Sequence, residues 1–242
     1  MDREIYIKRV LQDHLGNDKT YQQLSPQRAQ CILQHVKSEV EHLIQEHKEI
    51  LTTAERTWFE RHSRRDHRMP QFYIMPKVHK TPFATRPVES CIDSFSEVAS
   101  KWLDYRMTQL LHMSRTYIKD SNETREELLE LDCLPAHARL FTADAVSMYT
   151  NIDINHGLEV FETWFIEFES ELPPKFPMTL FLKLLKLVMT CNVFQFGDTY
   201  WLQLDGTAMG TSCACMYATM YTALHERKTL LPKYAGHLYF LR

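Results

Sequence analysis

A carboxylate at the end of an apolar run is how a β-strand presents a metal ligand, and this chain has that arrangement in Arg139-Leu-Phe-Thr-Ala-Asp144-Ala-Val-Ser-Met-Tyr149-Thr-Asn-Ile152. The pattern predicts a short buried strand delivering Asp144, then a turn and a helix, with the Tyr149 ring just beyond the acid. Taken alone, an Asp so placed is also an ordinary helix or turn cap. Two further stretches add chemistry. Pro70 to Ser90 predicts a proline-edged, two-stranded flap turning at Thr81-Pro82 and carrying Lys77, Lys80 and Arg86. Three cations on a stiffened hairpin suit a triphosphate, Arg as a bidentate fork and Lys as a point charge; an exposed β-loop with ordinary surface charge has the same composition. The third stretch, Gln203-Leu-Asp-Gly206-Thr-Ala-Met-Gly210-Thr-Ser212, holds two of the chain's six glycines. Glycine at both ends of a short step lets backbone approach a partner closely and leaves amides free at a helix start, as in anion or base-pair recognition; a tight strand-to-helix turn needs the same residues.

Met1 to about Tyr21 has weak helical periodicity. Ser25-Pro26 is an N-cap with Pro in the first turn, opening an amphipathic helix through Ile32, Val36, Val40, Leu43 and Ile50. Thr52 to Glu55 resembles a capping box before Trp58 and Phe59. Arg61, Arg64, Arg65 and Arg68 follow with no apolar period, either as a solvated loop or as contacts to a phosphate backbone. Ser94 opens a helix to about Met113 whose expected buried stripe is Val98, Trp102, Tyr105 and Leu110, and Asn122 to Leu131 is a second, charged helix ended by Pro135. Both are expected to pack on a sheet. Asp153 or Asn155 caps a helix through Leu158, Phe161, Phe165 and Phe168, and Pro177 starts another through Leu180, Leu184, Leu187 and Val188. Asn192 to Leu204 is a hairpin whose Gly197-Asp198 turn fits type II′. His237 to Arg242 looks like a strand just beginning.

Composition excludes more than it selects. A chain that is 44% hydrophobic and 24% charged, with a net charge of −3, is neither a polycation nor a disordered chain, so any nucleic-acid contact must come from local clusters. Four cysteines scattered singly and a Cys213-Ala-Cys215 pair that lacks the spacing of a zinc site argue for reduced thiols in an intracellular protein rather than a zinc or disulfide framework, and no stretch has the length and apolarity of a membrane span.

Phe72-Tyr-Ile-Met-Pro-Lys77-Val-His-Lys80 with Arg86-Pro87, Asp144 with Tyr149-Thr-Asn-Ile152, and Gln203 with Gly206-Thr-Ala-Met-Gly210, in this order, resemble the fingers and palm of a reverse transcriptase, closest to the Penelope-like retroelement enzymes, over roughly Leu51 to Arg242. The resemblance implies a mixed α/β (α+β) fold with a mainly antiparallel sheet and flanking helices, a helical N-terminal region at 1–68 and fingers and palm at 69–242. It implies RNA-directed DNA polymerisation from dNTPs on an RNA template and DNA primer, with Mg²⁺ or Mn²⁺ held by Asp144. Lys77, Lys80 and Arg86 would hold the triphosphate, Tyr149 would lie under the sugar and exclude a 2′-hydroxyl, and Gly206, Gly210 and Gln203 would lie against the template and nascent pair. The ring at 149 argues against an RNA-making relative. The family's second palm strand bears a Tyr-x-Asp-Asp turn that is not found here, and Thr211-Ser-Cys-Ala-Cys215 replaces its usual Ser-Pro pair. A fragment with little polymerase activity, or a polymerase-like module that binds nucleic acid without chemistry, is therefore expected.

Overall fold

The computed structural model describes residues 2–131 and 136–236, so the expected strand at His237 to Arg242 and the helix stop at Pro135 lie outside the described residues. Helices α1 (Arg3–Val10), α2 (Pro26–Glu46), α3 (Thr53–Ser63), α4 (Phe95–Thr108), α5 (Ser121–Glu130), α6 (Ile154–Glu167), α7 (Met178–Thr190) and α8 (Ala214–His225) accompany a five-stranded sheet. Its strands are β1 (Tyr21–Leu24), β2 (Gln71–Lys77), β3 (Ala84–Ser90), β4 (Val193–Phe196) and β5 (Thr199–Gln203). The class is mixed α/β, and the sheet is mainly antiparallel.

Two hairpins build that sheet. β2 and β3 pair antiparallel from Gln71↔Ser90 to Lys77↔Ala84, while β4 and β5 pair through a turn in which Gly197 takes φ +56°, the conformation required of the first residue of a type II′ turn. Between the hairpins the strand pairing among the described residues is Gln71↔Gln195, in parallel, and β1 adds antiparallel to β5, giving the order β1-β5-β4-β2-β3. β1 was not foreseen. It carries strand pairing across the boundary expected at residue 68, so 1–68 and 69–242 share one sheet.

The caps read from sequence hold. Ser25 accepts from the Arg28 amide, and Ser94 from that of Glu97. Thr52 and Glu55 form a reciprocal capping box, and the buried Glu55 carboxylate also accepts from Trp102 Nε1 at 2.7 Å and Arg106 at 2.6 Å. The main apolar core lies among α2, α4, α6, α7 and α8 around Trp102, Phe161, Trp164, Phe181 and Tyr217. A second cluster on the sheet joins Val10, Leu15, Tyr21, Phe72, Ile74 and Phe194.

Three expectations are corrected. α4 packs against α2, α7 and α8 rather than on the sheet, and Tyr105 is exposed although Val98, Trp102 and Leu110 are buried. α5 buries none of its residues. The strand expected at Arg139–Thr142 is absent: residues 138–145 have no regular structure and are exposed. A strand needs a neighbour to take up its backbone donors and acceptors, and among the described residues no strand pairs with this segment.

Candidate functional site

The flap forms as read, and its register decides which cations act together. Residues opposite one another share a face, so Lys77 (opposite Ala84) and Arg86 (opposite Met75) are diagonal neighbours on one face, with Tyr73 further along it. The other face is taken by the N-terminal segment. Tyr6 Oη accepts from the Ile74 amide at 2.9 Å, Thr85 Oγ1 donates to Asp13 at 3.1 Å and lies 2.8 Å from His14 Nε2, and Arg9 sits over the Phe83 ring at 5.4 Å. The N-terminal region thus braces the flap from behind and leaves the Lys77–Arg86 face open. Lys80 stands exposed in the tip, where its amide donates to the Lys77 carbonyl. Arg61, Arg64, Arg65 and Arg68 are exposed, but they precede the Gln71 end of β2, about 20 Å of strand from Lys77. The structure does not bring that run to the flap cations.

The glycine loop closes on this chain's own backbone. Gly206 has φ +78°, and a Cβ there would lie 2.8 Å from Thr150 Cα; Gly210 has φ +128°, and a Cβ there would lie 2.0 Å from the Glu89 carbonyl oxygen. Alongside these contacts Thr207 donates its amide to the Tyr149 carbonyl at 2.6 Å and Glu89 donates its amide to the Met209 carbonyl at 2.8 Å. The three motif stretches are therefore hydrogen-bonded to one another through the loop. The close approach that the glycines permit is to β3 and to the turn at Met148–Asn151. Gln203 is likewise committed inward: buried, it accepts from Asn192 Nδ2 at 3.0 Å and donates to the Asp205 carbonyl at 2.8 Å.

Tyr149 is half-buried where these stretches meet. Burial raises its hydroxyl pKa, the neighbouring Cys215 adds to that rise, and the positive charge of Arg86 opposes it. Asp144 is exposed and makes no hydrogen bond or ion pair among the described residues. The preceding apolar residues do not hold it, and the turn after it begins at Ser147 with φ +51°, a left-handed conformation unusual for a residue with a side chain.

The Mg²⁺ or Mn²⁺ implied by the resemblance needs several oxygen ligands in one place. Among the described residues no three His, Cys, Asp or Glu side chains converge on such a point, and Asp144 supplies one carboxylate. The described residues do not fit a resident two-metal centre. The five described cysteines are free thiols.

One feature of the site escaped the sequence reading. Glu89 sits on β3 at the parity of the buried face, opposite Phe72, and is 3% exposed. Its carboxyl accepts from Asn192 Nδ2 at 3.0 Å and contacts Cys91 Sγ at 3.8 Å, and Asn192 carries the bond on to Gln203. Burial pushes its pKa up to about 8, against the pull of Asn192 and Cys91. Beside it a cavity of about 10 Å³, bordered by Tyr21, Phe72, Pro87 and Thr207, has room for one water at most. The signal was available: an acid at a core position of an alternating strand.

The chain matches no protein-family model, no curated protein and no solved structure. Among the described residues no helix is long and apolar enough to cross a membrane.

Proposed function

We propose that this chain is the fingers-and-palm portion of a reverse transcriptase, an RNA-directed DNA polymerase, and that its open face binds a deoxynucleoside triphosphate against a template–primer duplex. The observation that carries the reading is the junction of the three motif stretches: the loop at Gly206–Gly210 bonds to β3 on one side and to the Tyr149 turn on the other. Lys77 lies diagonal to Arg86 on the same face of the flap, and the charge of Arg86 acts on the Tyr149 hydroxyl. In this reading Lys77 and Arg86 take the triphosphate, Lys80 extends the same positive field from the tip, and the Tyr149 ring disfavours a ribose 2′-hydroxyl. Gly206, Gly210 and Gln203 act from behind, by fixing the loop, and not through direct contact with a base. Magnesium would arrive with the nucleotide as its counter-ion.

Titration with a fluorescent dNTP in Mg²⁺ tests this. Saturable binding is expected, weakened about tenfold or more by Arg86→Ala through loss of a charge-assisted fork. Tyr149→Ala is expected to narrow the preference for dNTP over rNTP. No binding, or binding indifferent to Arg86, would overturn the reading.

The exposure of Asp144, in no group of three or more potential metal ligands among the described residues, favours a second reading as a polymerase-like module that holds nucleic acid without chemistry. Primer extension separates the two. Template-dependent extension abolished by Asp144→Ala supports the enzyme, whereas duplex binding without extension supports the module.

A further inference from the structure

Away from the flap and loop, α6 and α7 leave a groove of about 380 Å³. Its floor is Phe165, Met178 and Leu182, and Ile166, 77% exposed, stands on its rim. Glu162 and Glu169 also line it, so α6 and the short turn after it (Glu169–Glu171) present acid, apolar residue and acid at i, i+4 and i+7, about 10 Å from end to end.

The neighbouring acids on this side of the molecule are occupied. Glu167 pairs with Lys228 at 2.6 Å, and Glu171 pairs with Arg227, which also lies over the Phe168 ring at 3.9 Å. Glu162 and Glu169 have no cation within ion-pair distance among the described residues. Two unpaired carboxylates bracketing a large exposed aliphatic side chain above an apolar floor are complementary to one kind of surface, a helix with Lys or Arg at i and i+7 and a Leu-sized residue between them.

We infer that the α6–α7 groove is a docking site for a cationic amphipathic helix of a partner protein, held by its apolar side chains in the groove and by two Lys or Arg residues on Glu162 and Glu169. This site is independent of the nucleotide reading and would stand if that reading failed.

The probe is a fluorescein-labelled synthetic helix of about 15 residues, long enough to be marginally helical alone, with Leu facing the groove and Lys at i and i+7. Anisotropy titration should show saturable binding that weakens as salt rises, and a matched peptide with Glu in place of Lys should not bind. Glu162→Lys with Glu169→Lys should weaken the Lys peptide about tenfold and admit the Glu peptide. Both positions are exposed, so the fold should survive, which an unchanged thermal melt would verify; the two-peptide comparison on the unaltered chain needs no variant. The inference is overturned if neither peptide binds, if both bind alike, or if sedimentation shows a dimer that Ile166→Asp dissolves, since the occupant would then be a second copy of this chain.

Discussion

Two stretches of this chain have the same outline in sequence, an apolar run, a turn rich in small residues and a helix: Asn192 to Ala214 and Arg139 to Ile154. The first folds into β4, β5, the glycine loop and α8, with Gln203 buried and Gly210 pressed on Glu89. The second remains an exposed irregular segment until the turn at Met148–Asn151 and α6. Both runs hold residues that favour extended backbone, more of them in the first, but such residues make a strand only where a partner strand takes them up. Val193 to Phe196 brings its hydrogen-bonding partner within the same hairpin, while Leu140 and Phe141 have none among the described residues. β-propensity is a demand for a neighbour, and the neighbour decides whether the demand is met.

Gly210 is where the two stretches differ most. Alanine there would need a Cβ 2.0 Å from the Glu89 carbonyl at φ +128°, so either the loop leaves β3 or the strand shifts. Gly210→Ala is expected to destabilise the fold by about 3 kcal/mol or more in urea unfolding, combining backbone strain with the loss of a buried strand contact. Asp144→Ala, in the exposed segment, is expected to change stability by less than about 0.5 kcal/mol. Equal effects at the two positions would mean that the loop does not hold the flap.

A smaller effect comes from Glu89, which ties the loop to the hairpin. Its pKa is raised in the fold from 4.5 to about 8, so between these values the folded chain holds a proton that the unfolded chain has released. Stability is therefore full below about pH 4.5, declines as pH rises through the window, and levels off above about 8. Glu89→Gln keeps an acceptor for Asn192 and removes the titration. The difference between the two chains' unfolding free energies measured from pH 5 to 9 should grow in favour of the glutamine variant by up to a few kcal/mol, and a flat difference would place the carboxyl in water.

Much of this was legible in local chemistry. Ser25, Thr52 and Ser94 announce helices because a cap needs only its own first turn, and Gly197-Asp198 announces a hairpin because the turn sets the register. Lys77 and Arg86 share a face because alternation fixes it. What was not legible depends on distant partners. Tyr21-Gln-Gln-Leu24 has little strand character and becomes β1 because the open edge of β5 takes it up. The Gly206 and Gly210 pattern shows that something must come close, but not that the visitor is Thr150 and Glu89 rather than a template. Asp144 shows the same limit from the other side, since its side-chain type is right for a metal and its position is fixed by nothing nearby.

The finest distinction lies in the residues before Asp144. Leu140 is 94% exposed and Phe141 59%, so both side chains are mostly in water and replacing them by serine removes little apolar surface from the folded interior. The double variant Leu140→Ser, Phe141→Ser should leave the urea midpoint unchanged within about 0.5 kcal/mol, against the several kcal/mol expected for truncating a buried residue of the paired hairpin such as Phe194, which is 0% exposed. Hydrogen exchange should rank the two stretches the same way. Amides of 139–146 should exchange through local openings alone, and those of β4 and β5 should resist until the sheet unfolds. If instead the serines cost as much as the hairpin truncation, the apolar run before Asp144 is packed in solution and a strand at that position regains its physical basis.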